Sequence, residues 1–199
     1  MDWKQVSRIA LPVVAGIALL VYQFAPAKKG SPKFQERYAA WMQSPKDEAA
    51  WGALQEELSS LPEGAASPLA QQLILHDKLA EAEKLAREPL QHLRREAPPY
   101  AVYAQTTFLI AEGRYQDALE QAVRLNEAME DEESLLCAYN KLRIASLQKA
   151  LGNRPGERAA WEELRRYLEA HPALDKQVSA SIQENGVSLQ EYIKHSLAS

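Results

Sequence analysis

Four histidines, one cysteine, adjacent carboxylates and one glycine-bearing turn are the groups in this 199-residue chain that could carry chemistry. His76, His92, His171 and His195 are scattered, with none of the close spacings that put two ligands on one metal. His76 and His171 fall near predicted helix ends, where an imidazolium is favoured by the helix dipole. Glu56-Glu57 and Glu162-Glu163 are neighbours in sequence, and neighbours on a helix do not face each other. They read as solvated surface rather than as a general acid and general base. Gly152-Asn153-Arg154-Pro155-Gly156 places two glycines near a helix N-terminus, a position that can take phosphate. It lacks the lysine and the spacing of a P-loop and reads as a turn. Cys137 stands alone in the apolar run Leu135 to Tyr139, as a small core residue does. With one cysteine no disulfide forms within the chain, and the redox compartment stays open. HExxH, G-x-S-x-G and CxxC are absent from the sequence. The expectation is a protein that is not an enzyme and uses no cofactor and no metal.

The elements that would position these groups are helices. Ala, Leu, Glu, Gln, Lys and Arg dominate after residue 30, and all favour helix. Apolar residues recur three to four apart rather than alternating. Turn and boundary signals fall at Ser44-Pro45, Leu61 to Gly64, Pro98-Pro99, Gly113, Gly152 to Gly156, His171-Pro172 and Asn185-Gly186. The spacing predicts helices over 33–43, 46–60, 68–77, 79–96, 99–112, 115–129, 133–151, 156–170 and 174–184, with a short last helix over 188–197. Ser188 and Glu191 form an S-x-x-E capping box ahead of that last helix.

Nineteen residues, Ile9 to Ala27, carry no charge. About 20 apolar residues span a bilayer as a helix, so a single transmembrane anchor is expected. Tyr22 and Phe24 sit where an interfacial aromatic belt would lie. The alternative is a cleaved export signal, since Lys4 and Arg8 precede the apolar stretch and Ala25-Pro26-Ala27 fits an A-x-A cleavage site. The mature chain would then start at Lys28. Lys28, Lys29, Lys33 and Arg37 outnumber the basic residues before the span, and a literal positive-inside count keeps the body in the cytoplasm. The short basic tail and the A-x-A feature favour export, and a periplasmic body on the inner (cytoplasmic) membrane is the expectation.

Residues 34–199 hold 18 Lys and Arg against 26 Asp and Glu, a net charge of −8. Nucleic-acid binders need a basic footprint, so that class is disfavoured. The densest acidic run, Glu127 and Glu130 to Glu133, reads as a solvated helix end and linker.

Gly113-Arg114-Tyr115-Gln116-Asp117-Ala118-Leu119 resembles the G-x-Y-x-x-A-L signature at the turn of a tetratricopeptide repeat. The glycine ends one helix, the tyrosine fills the gap, and the small alanine lets the helices approach. Weaker copies start at Asp77 and Gly152, so the turn positions are 36 and 39 residues apart, near the 34-residue period of that class. Trp41, Ser44-Pro45 and Trp51 suggest a fourth, degenerate unit. The uncharged run and the resemblance together imply an all-α chain: an N-terminal transmembrane helix from the run, then a tetratricopeptide-like solenoid of antiparallel helix pairs from the resemblance. The expected domains are an anchor or signal over 1–29, the repeat domain over 30–172 and capping helices over 173–199.

In such a stack Tyr100 and Tyr139, 39 residues apart, take the same first-helix position, facing the concave groove. Tyr103 and Thr107 share that face, and Arg143 approaches it from the following repeat. These five residues are the candidate partner-binding set, because solenoid grooves take extended partners and Tyr and Arg are favoured interface anchors. Each aromatic taken singly fits a core-packing slot better than a binding role. The layout is similar to single-span bacterial proteins with a periplasmic tetratricopeptide-like domain that accompany the Sec translocon. It implies a tethered scaffold or chaperone-like adaptor for protein partners at an export or envelope complex.

Overall fold

The computed structural model describes residues 31–61, 65–129, 134–182 and 188–198. The expected span at 9–27, the cleavage motif, the acidic residues 130–133 and the Asn185-Gly186 turn lie outside them. Among the described residues the fold is all-α, with ten α-helices and no strand. The helices are α1 (Pro32–Gln43), α2 (Glu48–Gln55), α3 (Ala66–Leu75), α4 (Leu79–Glu96), α5 (Pro98–Ala111), α6 (Tyr115–Ala128), α7 (Leu135–Ala150), α8 (Arg154–Ala170), α9 (Pro172–Ile182) and α10 (Leu189–Ala198). None of these is long and apolar enough to cross a membrane. The chain forms two compact units, and the boundary falls at Pro89–Leu90 inside α4.

Side-chain caps start several of these helices. Ser31 Oγ accepts from Phe34 N at 3.1 Å, with Pro32 next in line, where a missing N–H costs little. Asp47 Oδ1 accepts from Ala49 N at 2.9 Å ahead of α2. The expected helix over 46–60 is shorter in the structure. It ends at Gln55, and a 3₁₀ turn (Leu58–Ser60) follows. Leu61 is extended, at φ −58° and ψ 128°, because the residue before a proline is pushed out of the α region. The capping box before α10 forms: Glu191 N donates to Ser188 Oγ and Ser188 N to Glu191 Oε2, both at 3.1 Å.

The three turns singled out in the sequence share one backbone geometry. Asp77, Gly113 and Gly152 have φ of 62°, 76° and 71°. At each, the next amide reaches back across the turn: Lys78 N to Leu73 O at 2.8 Å, Arg114 N to Leu109 O at 2.9 Å, and Asn153 N to Gln148 O at 3.0 Å. This left-handed residue with a six-to-one bond is the Schellman stop that satisfies the last carbonyls of a helix. Five residues on, the buried positions are Ala82, Ala118 and Glu157; nine on, they are Ala86, Ala122 and Trp161. The first two copies keep small residues where the helices must approach. The third places Glu157 there, its carboxylate paired with Arg154 at 3.3 Å.

In the first unit the core gathers around Trp41, which is fully buried. Its ring meets Trp51 at 5.5 Å and the edge of His76 at 5.7 Å, and its indole N–H donates to Pro45 O at 3.2 Å. Lys78 lies over Trp51 at 5.7 Å and ion-pairs with Glu48 at 2.7 Å. An aromatic pair of this kind adds about 1 kcal/mol beyond its area burial.

In the second unit consecutive helices pack from α5 to α8, and α9 and α10 close against α7 and α8. Leu109, Ala118, Leu119, Ala122 and Leu147 form one core cluster. Helix α7 is buried on all sides, with eleven of its sixteen residues in the core. A helix without a single apolar face belongs at the centre of an α domain, and α7 is that helix here.

Candidate functional site

The burial of α7 carries polar groups inward with it. Ser134 Oγ caps the helix, accepting from Cys137 N at 3.2 Å. The Tyr167 hydroxyl accepts from Ser134 N at 3.0 Å and holds that end against α8. On α5, Thr106 donates back to Val102 O at 2.8 Å and Thr107 to Tyr103 O at 3.5 Å. A threonine hydroxyl turned onto its own helix in this way keeps a hydrogen-bond partner when it is buried. Tyr103 and Thr107 are four residues apart on α5, as Tyr139 and Arg143 are on α7, so each pair presents one face.

Arg143 is where those faces meet. Its side chain is fully buried, and its guanidinium carbon lies 3.4 Å from the centroid of the Tyr103 ring. One terminal nitrogen donates to the Tyr103 carbonyl oxygen; the other donates to Thr107 Oγ1 at 3.0 Å. Nε has no acceptor. Among the described residues no carboxylate is within ion-pair distance of it. Burial pulls the Arg143 pKa below its ordinary value, with Tyr103 opposing. Burial pushes the Tyr103 phenol up, with the nearby cation working the other way. The result is a desolvated cation held by a π face and two neutral acceptors rather than by a counter-charge.

The sequence-derived binding set therefore divides. Tyr103, Thr107 and Arg143 are in mutual contact and buried; Tyr139 is buried one turn before Arg143 on the same face of α7. Tyr100, at the start of α5, is half-buried. Two neighbours were not singled out in the sequence. Asn140 donates to Ala122 O at 2.7 Å while its Oδ1 has no partner. Lys141 pairs with Glu163 and lies 5.4 Å over the Tyr167 ring. Their signal was polar residues at 140, 141 and 143 directly after the apolar run Leu135 to Tyr139.

The remaining candidates go to separate places. His76 packs on Trp41, His92 pairs with Glu96 at 2.9 Å, and His171 lies 4.5 Å from the Tyr167 ring. Glu162 pairs with Arg158 and Glu163 with Lys141. Among the described residues no group of three His, Cys, Asp or Glu side chains is arranged to hold a metal. Cys137 is a buried free thiol.

No protein-family model, no curated protein and no solved structure matches this chain.

Proposed function

We propose that this protein is a membrane-tethered adaptor that binds protein partners through a tetratricopeptide-like stack of helix pairs. The observation that carries the reading is the repeated turn. The same left-handed conformation and the same six-to-one hydrogen bond recur at 77, 113 and 152, and at each the fifth and ninth residues after the turn are buried on the helix that follows. A chain built from such units offers an extended face for a partner. The uncharged run Ile9 to Ala27 supplies the tether and raises local concentration at a membrane complex. In this reading Tyr100 touches the partner. Tyr103, Thr107, Tyr139 and Arg143 fix the α5–α7 face from beneath. The envelope or export machinery of a bacterium is the setting, with the body in the periplasm.

The test is a pull-down in detergent of the full-length protein from its native membranes, beside a Tyr100→Ala variant checked by circular dichroism. Recovery of a membrane or export protein with the native chain, and its loss with the folded variant, supports the reading. Equal recovery moves the contact surface away from Tyr100. No specific partner with either overturns the adaptor reading. Ala25-Pro26-Ala27 favours a second reading, a soluble exported module, and the N-terminal residue of the mature protein separates the two: Lys28 for the cleaved form, the original N-terminus for the anchored one.

A further inference from the structure

We draw no further inference here: the strongest candidate, the shallow groove between α8 and α10 lined by Arg165, Gln190, Ile193, Lys194 and Leu197, is an apolar-floored surface for which nothing in the structure shows what covers it.

Discussion

The guanidinium of Arg143 stacks on the ring of Tyr103 at 3.4 Å and donates to the carbonyl oxygen of the same residue. One side chain on α7 thus grips both the side chain and the backbone of one residue on α5. The planar fork of arginine permits this, and the compact ammonium of lysine does not.

The replacement order at 143 follows from that geometry. Removing a buried charge in favour of an apolar side chain of similar volume is often neutral. The acceptors left behind keep partners, since Thr107 already donates to Tyr103 O. Arg143→Met is expected to stay within about 1 kcal/mol of the native chain. Arg143→Lys keeps a desolvated charge but loses the stack and the fork, and should cost about 2–3 kcal/mol. Urea unfolding of the two variants checks the order, and a more stable lysine variant would contradict it.

Asp77 occupies a left-handed position that glycine fills at the two equivalent turns. Asp77→Gly should stabilise by about 0.5–1 kcal/mol, the strain relieved exceeding the added freedom of the unfolded chain. Gly113→Ala and Gly152→Ala should each cost about 1–2 kcal/mol, although an added Cβ would meet nothing within 4 Å at either site. The cost is conformational, not steric crowding by neighbours. Thermal melts of the three variants measure both directions.

Trp41→Ala removes the centre of the first unit's core. Large aromatic truncations of this kind cost about 3–5 kcal/mol. The expected signature is loss of the near-ultraviolet circular dichroism from the Trp41–Trp51 pair, with a lower unfolding midpoint. A near-native midpoint would show that the cluster contributes little.

The capping box before α10 makes one acid-sensitive element. Hydrogen bonds from the Ser188 backbone and hydroxyl hold the Glu191 carboxyl below its usual range. A carboxyl with a depressed folded pKa contributes stability that is fully present above the unfolded value, about 4.3, and is lost as pH falls through the folded value. Helix α10 should therefore fray below about pH 4, and Glu191→Gln should remove that pH dependence. Amide exchange across 188–198, followed from pH 6 to pH 2.5, reads the effect.

Helix content, most boundaries and the α10 cap were legible because they are local. Apolar residues three to four apart and the S-x-x-E pattern act within one or two turns of chain. The end of α2 at Gln55 has no local sign, since 56–60 has helical composition and the proline at 62 acts on its neighbour Leu61. The equivalence of positions 77, 113 and 152 was legible at Gly113 and Gly152 from residue type. At Asp77 it was legible only from spacing, because the backbone there adopts the glycine-like conformation without a glycine.

The sequence alone determined an acidic, cysteine-poor, all-helical body with three regularly spaced turns, and an uncharged stretch ahead of it. Composition and short-range periodicity suffice for that, since helix formation and helix stopping depend on residues a few positions apart. Tertiary structure decided that four of the five candidate binding residues are buried, and that three of them form one contact around an arginine with no counter-charge among the described residues. Residues 103 and 143 are forty positions apart, and no local pattern states which face of α5 meets which face of α7. Packing of α7 among α5, α6, α8 and α9 set that register and took Asn140, Lys141, Arg143 and Ser146 out of water.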